Sequence, residues 1–451
     1  MQLLGDDIIS WCIFSYLKYD DLKQVLLVSH QYNKWAHKTP VRDQSKSIHN
    51  FKECFKYWPN IKYIKASKTI STKFIKLLRK NLENLDIAGC CDLAGKNVFQ
   101  SLTRLHSLTM RECRGIPAEA FKPLQHSLEN LDISYTNITD DVFQYLENIR
   151  ILKAHNCLKI SGSGFKYLAN IQLLDVSNCS LIMDNSFKYL PKIPDTLIVS
   201  GCNLITDEML LYIVGVNSLD ISFCTSIIGT TLGSISNKIH TLKINNMKIS
   251  SDCLHYLSGI HTLDVSSQSI SSLEYFKGCY SICLCASLFP ISDLIYLHDI
   301  HTVNLTNTYI TDDDISNLRG VNTLHISYCE YITDKALIYL SNIYELSING
   351  CNITGSGFIY ISGIYKLSAI SCYLCDPYLS YLKGIKYLDI SGCDDITGDT
   401  FCDLHGIDTL KIHNCKLVLP QNIENLRPHA KHIFFDILSL EHSSLSIKHY
   451  P

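Results

Sequence analysis

The segment LENLDISYTNITDDVFQYLENI, residues 128–149, holds every part of one structural unit. Leu128, Leu131 and Ile133 are spaced to point inward, and the triplet 131–133 reads as a short strand with its middle residue outward. Thr136 takes a turn position, and Ile138 re-enters the interior. Asp140 stands where it would cap a short helix, in which Phe143 and Leu146 share the buried face at i, i+3 spacing. One such unit leaves an apolar edge open, so it needs copies of itself on either side.

The copies are present. Aligned on the first leucine of the L-x-I phrase, the anchors are Ile64, Leu85, Leu108, Leu131, Leu152, Leu174, Leu197, Leu219, Leu242, Leu263, Ile282, Val303, Leu324, Leu346, Leu367, Leu388, Leu410 and Ile433. Successive anchors lie 19–23 residues apart. That period, with L-x-x-L-x-L-x-x-N/C, is the leucine-rich-repeat signature. It predicts an α/β solenoid: a curved parallel sheet inside, strands about 4.8 Å apart, and short helices outside. Residues 61–451 would form about eighteen turns, the last one a cap. Residues 41–60 would be a linker or N-terminal cap of the solenoid. The register is weakest at 263–303, where GCYSICLCASLFP replaces the usual phrase and a local irregularity in curvature is expected.

Composition narrows the function classes. The net charge is −3 and the pI about 6.6, so no basic field draws the chain to nucleic acid or anionic lipid. No stretch approaches the roughly 18–20 uninterrupted apolar residues of a membrane span. The start, MQLLGDDII, puts two aspartates where a signal peptide needs positive charge. A cytoplasmic, reducing setting is expected, with free thiols.

The chain has 20 cysteines. Eleven sit five residues after an anchor: Cys90, Cys113, Cys157, Cys179, Cys202, Cys224, Cys329, Cys351, Cys372, Cys393 and Cys415. Other turns place Thr136, Thr308, Met247, Ser287 or Gln268 there. A metal ligand or nucleophile would not tolerate threonine or methionine, whereas a small side chain filling a turn would. Cys372-Tyr-Leu-Cys375 lacks a thioredoxin-like context. Cys279, Cys283 and Cys285 lack a second cluster at zinc spacing, and strand alternation sends Cys283 to the face opposite Ile282 and Leu284. No metal, cofactor or catalytic residue is expected: G-x-S-x-G, H-E-x-x-H and Walker patterns are missing. His240, His261 and His301, in I-H-T-L phrases, read as residues of repeat junctions.

Partners of such arrays usually meet the inner face. Its outward positions carry six aspartates (86, 132, 175, 220, 264, 389), each beside a lysine one turn away: Lys65, Lys153, Lys243 or Lys411. Paired charges along the ladder are therefore expected. Arg111 is the one arginine assigned to this surface. Ile151, Leu173 and Ile198 form an apolar strip, and Tyr387, Asp389, Lys411, His413, His432 and Phe434 an aromatic and imidazole group around an ion pair. These ten are the candidate target-binding residues, since aromatic and apolar clusters with a polar rim characterise hot spots. Packing against flanking side chains would explain them equally well.

Residues 1–40 differ, with helical periodicity in three short segments. Asp6 would cap the first, Asp20 and Asp21 open the second, and Tyr32 and Trp35 belong to the third. So small a core needs a partner or must lean on the first repeats. Leu4-Gly5-Asp6-Asp7-Ile8, then Asp21-Leu22, then Val28-Ser29-His30-Gln31-Tyr32 resemble the F-box, with Gly5 where that family has proline. Together with the repeats, the chain resembles an F-box/leucine-rich-repeat protein, and its isoleucine-, tyrosine- and asparagine-rich idiom is similar to members encoded by giant DNA viruses of the mimivirus type.

The resemblance implies the substrate-recognition adaptor of a cullin–RING (SCF-type) ubiquitin ligase, monomeric by itself, in the host cytoplasm if viral. The F-box would bind a Skp-type adaptor and its cullin complex, and the repeats a target protein. Leu3, Leu4, Ile8, Ile9, Ile13, Phe14, Leu17, Leu22, Leu26 and Val28 would supply the adaptor-facing and core positions. The rival reading is a stand-alone interaction or inhibitor scaffold whose N-terminal helices only cap the solenoid.

Overall fold

The computed structural model describes residues 41–42, 62–65, 72–75, 78, 81–427 and 430–435. The ten F-box positions from Leu3 to Val28 and the expected C-terminal cap beyond 435 lie outside the described residues. The chain divides into two compact units, Met1–Ile239 and His240–Pro451. The boundary precedes the irregular stretch 263–303.

Each unit is a leucine-rich-repeat solenoid of parallel strands. In the first, pairing runs turn by turn from Val41↔Ile64 to Leu197↔Leu219, anchor against anchor. Among the described residues the ladder therefore begins at Val41, inside the 41–60 stretch. In the second it runs from Leu242↔Leu263 to Leu410↔Ile433. Register holds through 263–303, where Leu263 pairs with Ile282 and Ile282 with Val303. The shorter spacing is taken up on the outer side, where a three-residue 3₁₀ turn, Glu274–Phe276, follows the seven-residue Ser251–Leu257 of the preceding turn.

The strands are one residue out of the expected phase. Asn130–Asp132 is centred on the buried anchor Leu131, with half-buried neighbours on both sides, and most other strands are likewise centred on a buried anchor. Ile133 lies past the strand end yet stays buried, and its N–H donates to the Lys153 carbonyl of the next turn at 2.8 Å. The inward set is as expected. The hydrogen-bonded triplet is displaced because the chain bends away directly after Ile133.

That bend has a constant backbone signature. In sixteen turns from Gly89 to Asn414 the residue four after the anchor has φ between 52° and 74°. Glycine and asparagine hold most of these sites, as the left-handed region favours. Tyr135, Phe223 and Tyr328 hold it too, at a backbone cost of about 1–2 kcal/mol each.

The outer side is built mostly of 3₁₀ turns, such as Asp140–Tyr145 and Phe165–Tyr167, with four-residue α-helices at Asp184–Phe187 and Met209–Tyr212. A unit of about 22 residues leaves too few for a stable α-helix once the strand and two turns are made. These turns carry the bulk of the core. Phe143, Phe165 and Phe187 are fully buried; Phe143 meets Phe165 edge to face at 5.7 Å between centroids, and Phe165 meets Phe187 in a tilted contact at 5.8 Å. Gly164 lets the chain cross this column, because a Cβ there would run into the Phe143 ring.

Asp140 does not cap its helix. It is the first helical residue, preceded by Thr139, and its carboxylate reaches into the next turn. There it accepts from Ser161 N–H and Oγ at 2.8 and 2.9 Å, Gly162 N–H at 2.9 Å and Gly164 N–H at 3.2 Å. Asp334 does the same with Thr354 N–H and Oγ1, both at 2.8 Å, Gly355 N–H at 3.0 Å and Gly357 N–H at 2.9 Å. Asp376 accepts from Thr397 and Gly398. A carboxylate that ties one turn to the next offers more acceptor capacity than a cap for its own short helix requires.

Replacing Asp334 by alanine strands three N–H donors of the following turn. The expected loss is about 2–3 kcal/mol, read as a lowered urea midpoint. Asp334→Asn should recover at most part of it, because its amide turns donors toward donors.

Among the described residues no helix is long and apolar enough to cross a membrane.

Candidate functional site

Each strand leaves two residues, one before and one after the anchor, on the open face of the sheet. The six aspartates follow their anchors there, yet their first commitment is local. Oδ1 of Asp132, Asp175 and Asp220 accepts the N–H of the serine two residues on at 3.0 Å, and Oδ1 of Asp264 and Asp389 at 3.2 Å. Asp86 does so with Ala88 N–H at 3.1 Å.

Only part of the expected lysine ladder forms. Lys65 meets Asp86 at 3.0 Å, and Lys411 lies 4.0 Å from Asp389. Among the described residues no ion pair joins Lys153 to Asp132 or Asp175, or Lys243 to Asp264. A carboxylate already held by its own turn gains little from fixing a long flexible lysine across a strand.

In the first unit Ile151 and Leu173 are strand neighbours in the row before the anchor. Ile198 stands in the other row, beside Asp175. The apolar strip is thus a half-buried pair with a diagonal third member. Arg111 reaches the face from the loop, its guanidinium 5.7 Å from the Tyr135 ring. Tyr135 packs on His155 at 5.0 Å, and His155 Nδ1 meets Ser177 Oγ at 2.8 Å. Sequence reasoning missed Tyr135 and His155; their regular places three and four residues after anchors were the available signal.

In the second unit the six C-terminal candidates fall on three neighbouring turns. Tyr387 is flanked by the ammonium groups of Lys366 and Lys411 at 5.3 and 5.4 Å, and Lys366 also pairs with Glu345 at 2.6 Å. Hydrogen bonding to Tyr387, with Asp389 nearby, holds the Lys411 ammonium above its ordinary value. Asp389 is buried and accepts the Ser391 hydroxyl at 2.7 Å, while the His413 N–H donates to Ser391 Oγ at 3.2 Å. His432 and Phe434 lie at the end, centroids 6.4 Å apart, with Phe434 46% exposed. Further back, burial holds the His325 imidazole below its usual value. One edge bears a column of rings, His240, His261, Tyr280 and His301, stacked at 4.1, 4.7 and 4.5 Å. Of the expected junction histidines, His240 and His261 stack on each other, and His301 joins them through Tyr280.

The repeated cysteines are structural in geometry. The ladder thiols from Cys113 to Cys415 donate to a main-chain carbonyl of the preceding turn, at 3.0–3.3 Å, as Cys157 does to Ile133 and Cys393 to Ala369. Where threonine replaces cysteine, Thr136 and Thr308 donate to a carbonyl of their own turn, at 2.7 and 2.6 Å. Desolvation pushes Cys113, Cys224 and Cys351 up to about 11, and Cys202, Cys372 and Cys393 up to about 12. Cys372 is thereby committed away from Cys375. The described cysteines are all free thiols, and no group of three or more His, Cys, Asp or Glu among the described residues converges as a metal site would require.

No protein-family profile matches the chain, and no curated protein matches it. Among solved structures it is similar to the crystal structure of a TLR13–ssRNA13 complex, at 15% identity and a TM-score of 0.46. The match covers 87% of this chain and 61% of that one, so this chain spans less than two thirds of its length.

Proposed function

We propose that this leucine-rich-repeat chain is a protein-interaction scaffold acting as the substrate-recognition subunit of a cullin–RING ubiquitin ligase. The sheet face would hold a target protein, and Leu3, Leu4, Ile8, Ile9, Ile13, Phe14, Leu17, Leu22, Leu26 and Val28 would serve a Skp-type adaptor. The observation that supports target binding best is the C-terminal group of the second unit. It combines Tyr387 between two lysines with His432 and exposed Phe434, the aromatic and cationic mixture of binding hot spots. The adaptor half rests on the order LGDDI, DL and VSHQY ahead of the repeats. Catalysis would then lie outside this chain: tethering raises the effective concentration of target beside a ubiquitin-conjugating enzyme.

The second reading is a stand-alone scaffold. It is favoured by the ladder starting at Val41, directly after residues 1–40, because a solenoid's first strand needs a cover.

Co-purification with a Skp-type adaptor separates the two. The wild type should capture it, and Ile13→Asp with Leu17→Asp should weaken capture by about 100-fold or more, since each buries an unpaired carboxylate. Equal capture by both, or by neither, leaves the stand-alone scaffold. Tyr387→Ala with Phe434→Ala should spare adaptor capture and lose the target.

A further inference from the structure

Two thiols stand apart from the ladder. Cys283 ends the strand Ser281–Cys283, Leu284 points into the core, and Cys285 returns to the open face. Their sulfurs are 3.1 Å apart, about 1 Å longer than a covalent S–S bond. Both are half-buried, whereas the ladder thiols are fully enclosed. Ser266 Oγ lies 3.2 Å from Cys283 Sγ and donates to Asp264 Oδ1 at 2.6 Å.

We propose that Cys283 and Cys285 form a redox-active dithiol, in which Cys285 is oxidised by a hydroperoxide and Cys283 closes a reversible disulfide with it. A thiolate on Cys285 accepts a hydrogen bond from the Cys283 thiol, which holds Cys285 below the ordinary thiol value and pushes Cys283 above it. The pair therefore contains one ready nucleophile and one protonated neighbour.

The Cys285 thiolate attacks the terminal oxygen of the hydroperoxide. An S–O bond forms, the O–O bond breaks, and the leaving alkoxide takes a proton to become an alcohol or, from hydrogen peroxide, water. The Cys283 sulfur then attacks the Cys285 sulfenic acid. The S–S bond forms, the S–O bond breaks, and water departs with the Cys283 proton. Two thiols lose two electrons, and the hydroperoxide gains them.

Closure is suited to a switch more than to a staple. Residues i and i+2 of an extended chain lie about 6.6 Å apart at Cα, near the upper end of what a disulfide spans. The ring would pull on three backbone links to both neighbouring turns: Leu284 N–H to Asn304, Val265 N–H to Cys283 and Ser267 N–H to Cys285, at 2.8–2.9 Å. Such strain makes a disulfide easy to reduce.

The test uses the reduced full-length chain with one equivalent of hydrogen peroxide at pH 7, followed by alkylation, tryptic digestion and mass spectrometry. The peptide 278–319 should lose two hydrogens, with fragment ions joining Cys283 to Cys285 and leaving Cys279 alkylated. This should run about threefold or more ahead of any change at exposed Cys91 and Cys402. Dithiothreitol should reverse it. In Cys283→Ser, Cys285 should stop as a sulfenic acid captured by dimedone. Oxidation of Cys285 no faster than Cys402, or a wild-type product that is sulfinic acid without the linked peptide, overturns the proposal.

Discussion

Raising the pH from 8 to 10 is expected to remove on the order of 4–7 kcal/mol of stability from each repeat unit through buried thiols alone. Ten ladder thiols are raised above their ordinary value of 9.0, five in each unit, with desolvation the largest cause. Below pH 9 the folded and unfolded chains hold these protons alike. Above it the unfolded chain releases them while the folded chain keeps them, up to about 11 for Cys224 and about 12 for Cys202. Stability therefore falls as pH rises, by about 1 kcal/mol per pH unit for each thiol.

Against total stabilities of about 5–15 kcal/mol, that loss removes a large share of the whole. Urea midpoints at pH 8, 9 and 10 measure the slope, and Cys202→Thr isolates one thiol from titrating tyrosines and lysines. Threonine already serves this site at Thr136 and Thr308, so the variant should fold and should flatten the slope by one thiol's share. An unchanged slope would show that Cys202 is not held protonated.

Phe165→Ala should cost about 3–5 kcal/mol, the range for emptying a fully buried phenylalanine site. Phe165 has Phe143 on one side and Phe187 on the other, so its loss opens the column to both neighbouring turns. The rings come from successive turns whose strands also pair, leaving little room for collapse into the cavity. In a repeat stack this is an interface term as much as an intrinsic one, so unfolding should become less cooperative as well as easier. A urea transition that shifts by less than about 1 kcal/mol would mean that the column tolerates a gap.

Much of the site's arithmetic was legible beforehand. Asp389 and Lys411 do stand side by side, and Tyr387, His413, His432 and Phe434 do gather on adjacent turns. Lys153 pairs with neither Asp132 nor Asp175, although all three stand in one row of the ladder; the carboxylates instead hold the N–H of the serine two residues on along their own chain. Ile198 left the strip of Ile151 and Leu173 because it follows its anchor while they precede theirs.

The period of the anchors by itself determined the repeat, the inward residues and the structural role of the cysteines. Burial is a property of one residue at one phase of a repeat, so it leaves its mark in composition position by position. Only the tertiary structure decided that Asp140 and Asp334 bind the turn ahead, that the residue before each cysteine is left-handed, that four rings stack from His240 to His301, and that the sulfurs of Cys283 and Cys285 nearly touch. Those are choices among partners that stacking brings within reach from about 22 residues away. Distance and direction settle them, and neither is written in a one-dimensional pattern.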